Sequence, residues 1–202
     1  MRRCSEPHRV SLNVLPLPNE LTAIFDILRP FRGTWAFAGG WAIDLWLGRR
    51  TRPHADVDVA MFRDEQRLLR DTFEDWQFST AHSGGRLPWP REQVLYLPIH
   101  EIHATTRDGA KVEFLLNERR GNTWLFRRDT SIELAIERAI RHEQNIPVLA
   151  PEIVLLFKSK APRQVDQADF ESALPALDDE SRSWLRSALA RMSGLHPWLE
   201  RF

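Results

Sequence analysis

The chain has 202 residues, is 43% hydrophobic, and balances 28 basic residues with 28 acidic ones. That length suits one large domain or two small ones, and the composition excludes intrinsic disorder. Neutral net charge argues against a general nucleic-acid or membrane-surface field, and a single cysteine excludes an internal disulfide or a cysteine metal centre.

Residues 1–17 are polar and interrupted by prolines, and read as a loose arm. A helix opens after Pro18 with Leu21, Ile24, Phe25 and Leu28 on one face, and Pro30 stops it. Residues 34–38 read as a buried strand that ends at Gly39-Gly40, and residues 41–47 as a short helix closed by Gly48. Residues 56–62 are the second strand. Asp64 is placed to cap the next helix, which carries Leu68, Leu69 and Phe73. Residues 76–80 read as a third strand, and residues 83–90 as a loop at the rim of the site. Arg107-Asp108-Gly109 is a strong turn signal between residues 99–106 and 110–116, so a hairpin is expected there. In its second arm Glu113 points opposite to Val112 and Phe114. Residues 130–149 are ambiguous, because Ile132, Leu134, Ile136 and Ile140 alternate like a strand while alanine and glutamate favour a helix. Residues 146–149 are expected to be a short strand, and Pro151 to open a helix reaching Lys160. Residues 163–176 and 179–192 read as helices.

The chemistry concentrates around the glycine pair and the second strand. Asp56 and Asp58 are two apart, so a strand would place both on one face. Two carboxylates on one face of a buried strand repel unless a cation lies between them. They are hard oxygen ligands suited to Mg²⁺, and Glu113 is the candidate third carboxylate on a neighbouring strand. Gly39-Gly40 lets backbone N–H groups approach a phosphate chain at a helix start. Lys158 and Lys160, with Arg163 behind them, are placed to reach phosphates from the second half. Arg52 and His54 can touch the same phosphates, or pair structurally with Asp44 or Asp56. Asp44 itself reads as a solvated helix face, with a place at the rim of the site as the alternative. Trp41 and Trp89 are the tryptophans placed to line a pocket. The basic pairs Arg119-Arg120 and Arg127-Arg128 read as solvated charges or as contacts for an anionic acceptor. His100 and His103, three apart on a strand, face opposite sides, which argues against a shared metal.

The order of these residues carries a resemblance. A glycine pair, a spacer, Asp-x-Asp in a strand and a later acidic strand residue resemble the polymerase-β-like nucleotidyltransferase superfamily. Gly39-Gly40-Trp41-Ala42-Ile43-Asp44, followed by Thr51-Arg52-Pro53-His54-Ala55-Asp56-Val57-Asp58, looks like its small aminoglycoside and lincosamide branch. Ala150-Pro151-Glu152, residues 158–163, and Asp166, Asp169 and Phe170 also resemble that branch, over residues 18–172 in all. The resemblance implies an α/β (α+β) fold: a nucleotidyltransferase core with a mixed sheet over residues 18–125, then a mostly helical half over residues 126–202. It implies Mg²⁺ and a nucleoside triphosphate, usually ATP, whose nucleoside monophosphate passes to an acceptor hydroxyl. Asp56 and Asp58 would be metal ligands, and Glu113 the third carboxylate and general base. Gly39, Gly40, Arg52, His54, Lys158 and Lys160 would bind the nucleotide. The acceptor would be a small molecule such as an aminoglycoside or lincosamide, with Glu92, Glu101, Asp166 and Asp169 as acidic lining for a polycation. Transfer to tRNA or protein, as by toxin-like members, and nucleotide binding without turnover are the alternatives. No apolar run approaches the roughly 20 residues needed to span a bilayer, and no apolar core follows the basic N-terminal residues. A cytoplasmic protein is therefore expected.

Overall fold

The computed structural model describes residues 17–82 and 84–202. The arm expected over residues 1–17 lies, except for Leu17, outside the described residues, and so does Ser83. Helix α1 (Asn19–Leu28) buries Leu21, Ile24 and Leu28, the stripe its spacing presents. Strand β1 (Trp35–Phe37) passes through Ala38 directly into α2 (Gly39–Leu47). Gly48 closes α2 at φ +63°, returning its N–H to the carbonyls of Asp44 and Leu45, a left-handed stop that costs glycine little. Strand β2 (Asp58–Phe62) is buried from Val59 onward, as befits a strand with neighbours on both edges. It leads through a 3₁₀ turn at Arg63–Glu65 into α3 (Gln66–Thr72) and then β3 (Gln77–His82). Asp64 does not cap α3; its carboxylate accepts instead from Arg119 Nε at 2.8 Å.

The expected rim loop is a strand in part. Residues 85–88 form β4 (Gly85–Pro88), paired antiparallel with β3 at the edge of the sheet. Gly85 at φ +121° makes the tight reversal. The hairpin is β5 (Glu101–Thr105) and β6 (Lys111–Arg120), joined through the expected Asp-Gly turn, with His103 opposite Glu113. Next come β7 (Thr123–Leu125) and β8 (Glu133–Ala135). The ambiguous stretch holds both readings in turn: β8, the single helical turn α4 (Ile136–Ala139), β9 (Ile140–Glu143) and β10 (Ile146–Leu149). Helices α5 (Pro151–Lys158), α6 (Gln164–Ala173) and α7 (Asp179–Met192) follow. Pro151 sits at the start of α5, and the Asp178 carboxylate accepts from Ser181 N at 2.7 Å to start α7.

The main sheet runs β4-β3-β5-β6-β2-β1-β10-β9, with β7 and β8 branching from β6. It is mixed: β2 is parallel to β6 and β1 to β10, while β1–β2 and β5–β6 are antiparallel. The architecture is thus a mixed α/β core followed by a mostly helical half, although β9 and β10, from that second half, complete the sheet of the first. Helix α5, buried from Pro151 to Leu156, packs against α2 and α7 and ties the halves together. No helix among the described residues is long and apolar enough to cross a membrane.

Candidate active site

The site begins where β1 turns into α2. Gly39 has φ +59°, and a Cβ there would lie 2.0 Å from Asp58 Oδ2. A Cβ on Gly40 would lie 2.3 Å from Arg52 Nη2 and 2.5 Å from the His54 ring. The two missing side chains are therefore what let a carboxylate and two basic groups close on the start of α2. Asp58 is held there by its backbone, since its carbonyl accepts from Ala38 N at 2.9 Å.

Parallel pairing of β2 with β6 sets Asp58 beside Glu113. The strand expected over residues 56–62 begins only at Asp58, so Asp56 lies exposed in the bend before it. The alternation argument therefore does not place Asp56, because the chain has not yet entered the sheet at that point. Its charge nevertheless acts on both other carboxylates. Burial, then the charge of Asp56, pushes Asp58 up to about 6. Burial, then Asp58, Glu101 and Asp56, pushes Glu113 up to about 7. Half-buried carboxylates crowded in this way strain against one another, and oxygen donors of this kind fit a hard divalent cation.

Two further groups join from β5. His103 Nδ1 lies 3.4 Å from Glu113 Oε2, and Glu101 Oε2 lies 4.0 Å from His103 Nε2. Ligand-capable atoms of Glu101, His103 and Glu113 all lie within 4.8 Å of one another. His100 also approaches Glu101, at 3.6 Å. Sequence reasoning named Glu101 and weighed His103 only as a metal partner of His100, even though the hairpin turn already implies the His103–Glu113 pairing.

The basic residues arrive with partners. Arg52 clasps Asp169 of α6 through Nε and Nη2 at 2.8 and 2.9 Å. Lys158 Nζ lies 2.7 Å from Asp166 and 3.0 Å from Asp169. Arg163 Nε meets Asp166 at 2.8 Å. His54 Nε2 lies 2.6 Å from Asp44 Oδ2 and stacks near the Trp41 ring, with centroids 4.3 Å apart. Asp44 is not a solvated residue: it is 3% exposed, because the chain after Gly48 folds back and brings Thr51 and His54 onto it. Of the two structural pairings open to the basic groups, His54 takes Asp44, whereas Arg52 takes Asp169 instead. Lys160 is exposed at the wall of the cavity.

Of these groups Gly39, Asp58, Glu101, Lys158, Lys160, Arg163 and Asp166 line a cavity of about 320 Å³, whereas Gly40, Arg52, His54, Asp56 and Glu113 are not among its lining. Leu115 and Asn117 of β6 and Phe157 of α5 line it as well. Lys158 is near enough for its charge to act on Asp58. Trp89 is outside the site, 3% exposed in the core with Nε1 donating to Gln93 O at 2.8 Å. Trp41 faces a separate hollow bounded by Asp44 and Ile146. Arg119 and Arg120 are engaged with Asp64, Glu65 and Glu133, whereas Arg127 and Arg128 line the cavity.

Comparison with known proteins bears on the family and the fold. The family profile described as aminoglycoside-2''-adenylyltransferase matches residues 20–173. A lincosamide resistance protein of Staphylococcus haemolyticus is 27% identical over 142 residues, which is 69% of this chain and 83% of the relative. Among solved structures, a lincosamide antibiotic adenylyltransferase with lincomycin bound superposes with TM-score 0.51 at 16% identity, over 76% of this chain and 94% of the other. The structure of ANT(2'')-Ia in complex with adenylyl-2''-tobramycin gives TM-score 0.57 at 15% identity, over 87% and 100%. At those identities the two structures speak for the fold.

Proposed function

The chain belongs to the aminoglycoside-2''-adenylyltransferase family, and from that premise we propose that it transfers a nucleoside monophosphate, AMP from ATP, to a hydroxyl of a small-molecule acceptor. The observation that carries this reading is the Asp58–Glu113 pair in parallel register, with Gly39 cleared to admit Asp58. Asp56 and Asp58 would hold Mg²⁺, with Glu113 completing the carboxylate set. The ion, when bound, supplies neutralisation of phosphate charge and a more acidic acceptor hydroxyl. The turn at Gly39-Gly40 offers backbone N–H groups to the triphosphate, beside Arg52 and His54. Lys158 and Lys160, which line the same cavity as Gly39, add positive charge. In the transfer, a bond forms between the acceptor oxygen and the α-phosphorus, and the bond to pyrophosphate breaks. Glu113, beside Asp58 in register, is the group placed to take the proton that the acceptor hydroxyl gives up.

The test incubates the protein with Mg²⁺, α-labelled ATP and a pool of aminoglycosides, lincosamides, tRNA and cell protein. Label in the small-molecule fraction is expected, and Asp58→Asn should reduce it by about a hundredfold or more by removing a metal ligand. Label in tRNA or protein would move the acceptor to a macromolecule. Nucleotide binding with no label in any fraction, for wild type and variant alike, would leave a binding protein in place of an enzyme.

A further inference from the structure

The carboxylates that are drawn into the fold differ in what neutralises them. Asp166 and Asp169 are each held by a lysine and an arginine, and Glu65 and Glu118 each by an arginine. Among the described residues Glu101 and Glu113 have no lysine or arginine within ion-pair distance; the basic side chains they meet are His100 and His103. Arg86 of β4 acts on Glu113 only from further off.

Strand register gathers these groups. Glu101 and His103 are two apart on β5, so they share one face of the sheet, and His103 stands opposite Glu113 on β6. His103 Nδ1 lies 3.4 Å from Glu113 Oε2, longer than the roughly 2.7–3.2 Å of an ordinary N–H···O hydrogen bond. A tetrahedral ion bound at about 2.0 Å by nitrogen and oxygen needs its ligand atoms about 3.3 Å apart. The pair is therefore spaced for an ion between its members. Glu101 offers an atom within 4.8 Å of both, and its side chain is partly exposed and free to rotate the remaining distance. Glu101 also borders both the cavity and a neighbouring hollow lined by Ala81, His82 and Ile99, which gives an ion a way in.

We infer that Glu101, His103 and Glu113 form a site for a divalent cation of the zinc class, distinct from the Asp56–Asp58 pair. One imidazole nitrogen with two carboxylates suits zinc, whereas Mg²⁺ prefers oxygen and keeps much of its water. Three protein ligands leave a fourth position open to water or to a molecule entering the hollow. An ion held there engages the same Glu113 that the transfer reading offers to Mg²⁺, so the two ions draw on one carboxylate. The inference does not depend on that reading, because the three side chains meet whether or not a nucleotide binds.

The test uses the full chain, freed of metal by a chelator and without nucleotide. Zn²⁺ is titrated by calorimetry, and Co²⁺ by its visible absorption, which reports departure from octahedral water. Wild type is expected to bind one ion per chain, with Zn²⁺ displacing Co²⁺ from the same place. His103→Gln should weaken Zn²⁺ binding by about a hundredfold or more, beyond the cost of losing a supporting hydrogen bond around a ligand. Glu101→Gln should weaken it by about tenfold or more. Circular dichroism of the metal-free variants should match wild type, and Zn²⁺ should raise the melting temperature of wild type more than that of His103→Gln. If His103→Gln does not fold, Glu101→Gln carries the comparison. Cys4→Ser and His142→Gln, which remove the thiol and an exposed imidazole, should bind as wild type does. Three results overturn the inference: no ion bound by wild type, binding unaltered in folded His103→Gln or Glu101→Gln, or binding lost in Cys4→Ser. Failure here leaves the label-transfer test standing, and failure of label transfer leaves this site standing.

Discussion

Gly39 and Gly48 share nearly the same left-handed backbone, yet their surroundings differ completely. A Cβ on Gly39 would strike the Asp58 carboxylate at 2.0 Å, whereas a Cβ on Gly48 would meet nothing within 4 Å. Alanine at either position costs about 1–2 kcal/mol for the backbone alone. Gly39→Ala is expected to abolish label transfer as well, because Asp58 must move, while Gly48→Ala should melt earlier in urea but retain transfer. Equal activity in the two variants would show that Asp58 needs no such clearance. The glycines, Asp58 and Glu113 were legible in the sequence because their chemistry is local, set by spacing and by alternation along one strand. The bond from Arg52 to Asp169 was not, since its ends are 117 residues apart and nothing in either neighbourhood names the other. Asp44 was misread for the same reason: its burial depends on a fold-back after Gly48 that helix periodicity does not encode.

Helix α6 gathers basic groups from two other segments through Asp166 and Asp169. Burial alone would raise both carboxylates, but hydrogen bonds from Arg163 and Lys158 hold Asp166 below the ordinary range, and those from Arg52 and Lys158 do the same for Asp169. A carboxyl that binds its proton more weakly when folded stabilises the fold above its unfolded pKa, and that contribution disappears as pH falls through its folded pKa. The melting temperature should therefore fall steeply below about pH 4 in wild type and less steeply in Asp166→Asn. Thermal melts followed by circular dichroism across that range check it, and parallel curves would remove the carboxylate from the acid response. At this scale the hairpin, β10 and the Pro151 helix were readable from turn residues and hydrophobic pattern. Strand β4 was not, because an exposed edge strand of Gly-Arg-Leu-Pro has no buried face to advertise itself. The stretch from β8 to β10 misled for a different reason: it changes conformation every three or four residues, within the span over which periodicity must be measured.

The sheet of the whole molecule crosses the boundary expected after residue 125. Strand β10, from the second half, pairs parallel with β1 through Phe37 and Val148, and Phe157 and Lys158 of α5 line the same cavity as Asp58. A fragment ending at residue 125 would expose the β1 edge and the apolar surface that Val148, Leu149 and α5 bury. Such a fragment is expected to lack a cooperative melt and dispersed amide resonances. A sharp unfolding transition in it would make the first half an independent domain. The sequence conveyed the order of elements and the general class, but the return of β10 to β1 is a tertiary pairing that no local signal announces.

That return also has a consequence in time. Because β10 must lie beside β1 before the core can close, the glycine turn acquires its final support only after residue 149 has left the ribosome. Until then the nascent chain carries β1 with one unpaired edge and a cluster of repelling carboxylates. The helices that follow then bring Lys158 to the cavity and Asp169 to Arg52, so the site is completed last.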